Sequence, residues 1–249
     1  MSASKTQIDR LGERLKSGAV TDQDLTLLDE FRRSHGDAYR LTIQLLRDHL
    51  DMAPSGRPAK STTSIIDKLQ RESLRLTQMQ DIAGCRVIVS DSDWQSSVAE
   101  TLMDHLEKSG ISGTMVDRRI SPSNGYRAVH IVAFTLERHV EIQIRTELQH
   151  RWSELSEVLA DSLDHKIKYG GGPTEIQNVL MKASRLVTDH ERDEATLQSY
   201  LQSLSGDYEM ASNTKEIAER KAILEKNRMA LLDGFDKIIT DVILEADQK

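Results

Sequence analysis

A single cysteine, Cys85, in 249 residues excludes an internal disulfide, and its place inside the apolar run CRVIV marks it as a buried structural thiol rather than a reactive one. Aromatic residues make up only 4% of the chain, while Leu, Ile, Glu, Lys and Gln recur throughout, which points to a largely helical protein with an aliphatic core. No apolar segment approaches the length of a membrane span, and the opening MSASKTQIDR lacks the apolar centre of a signal peptide. A cytoplasmic location without membrane attachment is therefore expected. Positive charge is in deficit: the net charge of -7 argues against broad, non-specific nucleic-acid binding but leaves room for a local basic pocket.

What is present is an ordinary composition, 38% hydrophobic and 29% charged, in a length that suits one large domain or two modest ones. Residues 5–50 carry helical spacing, with Leu11, Leu15, Leu25, Leu28, Phe31, Leu41, Ile43, Leu45 and Leu46 as core candidates, and Thr21 with Asp24 as a capping pair. MAPSGRPAKSTT, 52–63, reads as an irregular connection, after which a domain begins. A short helix from Ser64, a strand at 81–90, a helix over 93–109 and a strand near 111–117 follow. Beyond the loop RRISPSNG come strands near 126–135 and 138–146 and a helix from about 147 to 163. This is a mixed α/β (α+β) unit with adjacent antiparallel strands at its end. After KYGGGP, residues 174–247 return to helical spacing at Ile176, Leu180, Ala183, Leu186, Val187, Ile217, Ile223, Leu224, Leu231, Leu232, Phe235, Ile238 and Ile239.

Four stretches carry candidate chemistry. In HVEIQIRTELQH the strict alternation puts Val140, Ile142 and Ile144 on one strand face and Glu141, Gln143 and Arg145 on the other, an ordinary wet face or the wall of a polar pocket. With a helix from Ser64, Ser64, Lys68 and Arg71 share a face and Lys60 lies just before it. Such a group suits a polyphosphate, although Ser64 as a plain cap with solvated bases is the simpler reading. DIAGCRVIV sets Asp81 at the start of an apolar strand and Gly84 inside it, where glycine marks close approach by a ligand or another chain segment. Asp81 ends a turn or, with Glu141, holds Mg2+, which takes one or two carboxylates and completes its shell with water and phosphate oxygens. In SNGYRAVHIVAF, Tyr126, Ala128 and His130 share a strand face, offering a ring for stacking and a hydrogen bond to phosphate or sugar.

Taken in order, K-x3-S-I-x2-K-x2-R, DIAGCR, NGYRAVH, EIQIRT and WSEL resemble the synthetase domain of the RelA/SpoT-type alarmone synthetases, over roughly 57–170. The resemblance implies a nucleotidyltransferase-like mixed sheet at 53–170, flanked by helical regions at 1–52 and 171–249, in a small synthetase-only member. It implies transfer of the β,γ-pyrophosphoryl group of ATP to the 3′-hydroxyl of GDP or GTP, making (p)ppGpp and releasing AMP. Carried over by position, Asp81 and Glu141 are the Mg2+ ligands, and Glu141 also helps deprotonate the hydroxyl. Arg57, Lys60, Ser64, Lys68, Arg71 and Arg86 form the ATP site. Tyr126 stacks on the acceptor base beside His130, and Gln143 and Arg145 belong to the same pocket face.

Two positions depart from the family pattern. Arg57 stands three residues before Lys60 rather than two, and Pro122 replaces a lysine three residues before the Gly of NGY, with Arg118 and Arg119 as nearby substitutes. Relatives that use the 3′ end of tRNA or adenosine nucleotides as acceptor remain an alternative, as does a non-catalytic nucleotide-binding regulator with helical partner-binding arms. Surplus apolar positions over 174–247, together with the resemblance, lead to the expectation of a homo-oligomer joined through the helical arms.

Overall fold

The computed structural model describes residues 3–204 and 214–246, so the parts of the helical stretch expected at 174–247 that fall on 205–213 and 247 lie outside the described residues. The chain divides into two compact units. One comprises the chain through Val87 with Val98–Val116 and His130–Ile144; the other comprises Ile88–Ser97, Asp117–Val129 and the chain from Arg145 onward.

The first unit opens with α1 (Lys5–Ser17), α2 (Asp22–Arg33) and α3 (Gly36–Leu50). Thr21 and Asp24 form the expected capping box on α2, each side chain accepting from the other's backbone N–H. Arg14 Nη2 reaches Asp24 Oδ1 at 2.6 Å, and this bond holds the Asp24 carboxyl down to about 2. Ile8, Leu11 and Leu15 of α1 and Leu28 of α2 meet Ile65 and Leu69 of α4 (Thr62–Arg71), together with Leu76, Met79 and Ile82. Leu25 and Leu41, expected in the core, are exposed, because the buried stripe of each helix is narrower than its apolar content.

The five-stranded mixed sheet has the order β1-β2-β5-β4-β3, with β1 at Ser55–Arg57, β2 at Ala83–Val89, β3 at Ser112–Asp117, β4 at Val129–Thr135 and β5 at Arg138–Thr146. β1 lies inside the segment expected to be irregular. It pairs antiparallel with β2, Gly56 opposite Cys85 and Arg57 opposite Gly84. Only glycine fits at position 56, since a Cβ there would stand 2.4 Å from the Gly84 carbonyl oxygen. Cys85, Val87, Ile131, Ala133, Val140 and Ile142 are buried on one face, as is the stripe Val98, Ala99, Leu102 and Leu106 of α5 (Ser92–Lys108). Burial raises the Cys85 thiol to about 12, so it is the inert structural group expected. β4 starts at Val129, not near 126, so Tyr126 precedes the strand and Ala128 is wholly buried.

His35, buried at the start of α3, supplies a pH prediction. Burial lowers its imidazole to about 4; the Phe31 carbonyl opposes this, and the charges of Arg138 and His139 reinforce it. Between the ordinary value near 6.5 and about 4 the unfolded chain takes up a proton that the folded chain refuses. Stability from this group is therefore complete above the ordinary value and is lost as pH falls toward the folded one. The expected loss from pH 7 to pH 5 is about 2 kcal/mol in urea denaturation. A His35→Gln protein should show a flatter dependence across that window, and an unchanged slope would remove His35 as the cause.

In the second unit, α6 (Glu147–Ser162), α7 (Thr174–Ser203) and α8 (Thr214–Ala246) share one core built from Leu148, Trp152, Leu155, Leu180, Val187, Leu232 and Phe235. Part of the apolar surplus expected at the C-terminal end is thus used within the chain. Leu186, Ile223 and Ile238 are exposed instead. Among the described residues no helix is long and apolar enough to cross a membrane.

Candidate active site

Within the first unit the sheet gathers most of the expected side chains. Alternation along β2 buries Ala83, Cys85 and Val87 and leaves Gly84 and Arg86 on the other face. On β5 the same parity leaves Glu141 and Gln143 half-buried between the buried Val140, Ile142 and Ile144. A Cβ on Gly84 would lie 3.2 Å from the Glu141 carbonyl oxygen and 3.7 Å from Glu141 Cβ. The glycine therefore admits a neighbouring strand, and it seats Glu141 opposite the start of β2.

Asp81, at the mouth of β2, meets two lysines: Lys60 Nζ stands 2.8 Å from Oδ2 and Lys68 Nζ 3.0 Å from Oδ1. Lys60 is placed by its backbone. Its N–H donates to the Ile82 carbonyl at 2.6 Å, and its carbonyl accepts from Arg32 Nε of α2 at 2.7 Å. Lys68 projects from α4, which starts at Thr62 with Ser61, not Ser64, as its cap; Ser64 N–H and Oγ both bond to Ser61 Oγ. Ser64, Lys68 and Arg71 still share a helix face, and Arg71 pairs with Glu72 at 3.0 Å. Arg57 on β1 is exposed.

Glu141 is the second acid. His130 Nδ1 of β4 lies 2.9 Å from its Oε1, and Gln143 Nε2 donates to its Oε2 at 2.7 Å. Burial works to raise the Glu141 carboxyl, but the His130 bond and charge with the Gln143 bond outweigh it and hold it below the usual carboxylate range; the charge of Asp81 pushes the other way. At Asp81 burial is likewise overcome, here by the charges of Lys60 and Lys68 and their hydrogen bonds. Two ionised carboxylates close enough to repel, ringed by basic and amide groups, suit a hard divalent cation that takes its other ligands from water and phosphate. Among the described residues no cluster of three or more His, Cys, Asp or Glu forms an all-protein metal cage.

The remaining two expected residues meet in the second unit. Arg145 does not line a wet face: it is buried, and its Nη2 donates to the Tyr126 hydroxyl at 3.0 Å, with its guanidinium carbon 5.1 Å from the Tyr126 ring centroid. The phenol accepts this bond and draws the base inward, which strand parity alone does not anticipate. Gly125 (φ 86°) makes the turn before Tyr126; a Cβ there would lie 2.9 Å from Trp152 Cζ2, and its carbonyl accepts from Ser184 Oγ at 2.7 Å.

Sequence reasoning missed the polar hub beneath that turn. Glu191 of α7, buried, accepts from Thr146 Oγ1 at 3.0 Å, Gln149 Nε2 at 2.7 Å and Arg127 Nη2 at 3.3 Å. Its signal was an acid on the buried stripe Leu180, Ser184, Val187, Glu191 of α7. Arg119, expected as a free charge, is occupied: Nε and Nη2 bond to Asp117 and Nη1 to Ser96 Oγ at 2.9 Å. Arg118 is exposed.

Residues 56–173 match the model of a region found in RelA / SpoT proteins. An uncharacterised protein of Mycobacterium tuberculosis is 37% identical over 182 residues, which is 70% of this chain and 64% of that protein. The chain thus spans 64% of the length of the curated relatives it matches. The small alarmone synthetase 1 of Bacillus subtilis superposes with a TM-score of 0.53 at 25% identity, covering 73% of this chain and 99% of that one. The same Bacillus protein bound to its product pppGpp gives 0.55 at 23% identity, with 72% and 100% covered.

Proposed function

Residues 56–173 match the region found in RelA / SpoT proteins, and from that premise we propose that this chain is a member of that family and an ATP-dependent pyrophosphokinase acting on the 3′-hydroxyl of a guanosine nucleotide. The observation that carries the reading is the pair Asp81 and Glu141, both held ionised, with Lys60 and Lys68 directed at the first and His130 and Gln143 at the second. On this reading the catalytic domain is 53–170, with helical flanks at 1–52 and 171–249.

Asp81 and Glu141 would hold Mg2+, which when bound would supply charge neutralisation on the ATP phosphates. Lys60 and Lys68 exchange their bonds to Asp81 for bonds to phosphate oxygens, joined by Ser64 and Arg71, while Arg57 and Arg86 border the adenine. Glu141 takes the proton of the 3′-hydroxyl, steadied by His130. The oxygen then bonds to the β-phosphorus as the bond from that phosphorus to the oxygen of the α-phosphate breaks, and AMP leaves with the electron pair. Tyr126, held by Arg145, stacks on the acceptor base. Tyr126→Ala should raise the acceptor KM by about tenfold or more with the ATP KM nearly unchanged, since stacking contributes roughly 1–3 kcal/mol per base. Equal weakening of both substrates would return Tyr126 to a packing role.

A second reading keeps the donor site and takes tRNA or an adenosine nucleotide as acceptor. Pro122 in place of the family's lysine and the occupation of Arg119 by Asp117 favour it. ATP labelled at the γ-phosphate, offered with GDP, GTP, an adenosine nucleotide or tRNA, separates the two by which acceptor gains label. Label on none of them would leave a non-catalytic nucleotide-binding protein. The proposed homo-oligomer is carried by exposed Leu186, Ile223 and Ile238 on α7 and α8. In-line light scattering should give a multiple of 28.1 kDa, reduced by Ile223→Glu, whereas a constant 28.1 kDa would eliminate it.

A further inference from the structure

In the first unit, α1, α2 and the β4–β5 hairpin line a cavity of about 590 Å³ that contains none of the candidate active-site residues. Its volume falls in the range of roughly 300–1,000 Å³ usual for small-molecule sites. Two aromatic pairs border it: Phe31 with His35, ring centroids 5.0 Å apart, and Phe134 with His139, 4.8 Å apart. The hairpin turn that presents the second pair runs through Leu136 (φ 48°) and Glu137 (φ 59°), left-handed conformations that glycine or asparagine would adopt with less strain.

The polar lining is unbalanced where it is held in place. Arg138 is fixed by a bond from Nε to Ser34 Oγ at 2.9 Å, with its guanidinium carbon 6.0 Å from the Phe31 ring centroid. Burial lowers both the His35 and the His139 imidazole, and the charge of Arg138 adds to this at His35 as that of Lys5 does at His139, which places both cations near the two rings. The acids in the lining, Glu30 and Glu137, are exposed, as is Lys5, so Arg138 is the charge held in place against the cavity wall. Aromatic walls beside a fixed guanidinium are complementary to a planar group carrying negative charge.

We propose that this cavity binds a flat aromatic anion, its ring against Phe31 and Phe134 and its anionic group toward Arg138 and Lys5. Two sources share that chemistry, a nucleoside monophosphate and an aromatic carboxylate. The neighbouring residue on α2, Arg32, holds the Lys60 carbonyl, so an occupant borders the helix that supports the candidate centre. The site itself stands whether or not the catalytic reading does.

Fluorescence titration of the full chain without Mg2+ tests it, with anilinonaphthalene sulfonate as the anionic probe and phenylnaphthylamine as the same ring system without the charge. The sulfonate should bind tighter by about tenfold or more, as one charge-assisted contact provides, and Arg138→Gln should remove most of that difference. Lys5→Gln, a change at an exposed residue, should weaken the sulfonate alone and keeps the test valid if the Arg138 variant fails to fold. Displacement of the sulfonate by guanosine monophosphate assigns the nucleotide source, and displacement by indole acetate assigns the carboxylate. Equal affinity for charged and neutral probes, indifference to both substitutions, or displacement by neither competitor would overturn the proposal.

Discussion

Glu141→Gln is expected to lower pyrophosphate transfer by about a hundredfold or more while leaving the protein folded. The substitution keeps the shape of the side chain and the acceptor for His130 Nδ1, and Gln143 can turn its amide to accept from the new NH2 group. Some stability should be lost, because the His130 and Gln143 interactions outweigh burial and favour the ionised form, but the amide keeps a contact to each. What disappears is the negative charge proposed to hold the metal and accept the hydroxyl proton. Single-turnover transfer from labelled ATP, beside a thermal melt of the same preparation, measures both quantities. Turnover within a few-fold of the parent in a folded variant would reduce the β5 polar face to an ordinary solvated surface. Normal turnover there, with transfer abolished by Asp81→Asn, would confine metal binding to Asp81 and move the base elsewhere.

The strand that carries Glu141 was legible because local periodicity specifies it. Val140, Ile142 and Ile144 alternate with Glu141 and Gln143 in the fold as in the chain, and the Thr21–Asp24 box needs only four residues. Legibility fails where a distant partner decides. β1 is three residues long, in a segment rich in Pro and Gly, and exists only because β2 supplies its hydrogen bonds. α4 starts at Thr62 rather than Ser64 because both serines are competent caps, and Ser61 Oγ, which accepts from the Ser64 N–H, is the one that serves. Arg145 belongs by parity with Glu141 and Gln143, yet the Tyr126 hydroxyl, nineteen positions earlier, draws it inward. Leu186 and Ile223 share the helical spacing of Leu180, Val187 and Leu232, yet only the latter are buried, a matter of helix rotation that spacing leaves open by one position.

Glu191→Ala should be the most damaging single change in the second unit, costing roughly 3–5 kcal/mol, because it strips the counter-ion from a guanidinium out of water. Arg127 and Glu191 have side chains only 12% and 6% exposed, and the same carboxylate also serves Thr146 and Gln149. In a chain of this size each kcal/mol moves the melting temperature by about 2–4 °C, so a fall on the order of 10 °C is expected. Most of the loss comes from the stranded charge rather than from the missing attraction. The double variant Arg127→Met with Glu191→Leu should therefore recover a large share of the stability that Glu191→Ala loses. Arg127 adjoins Tyr126, so the two proteins also report on the proposed acceptor site. If the hub positions the Tyr126 turn, the restabilised double variant should still show a raised acceptor KM with an unchanged ATP KM. Restored stability together with a normal acceptor KM would make Glu191 a purely structural residue, and a melting temperature unmoved by Glu191→Ala would remove the ion pair from the stability of this unit altogether.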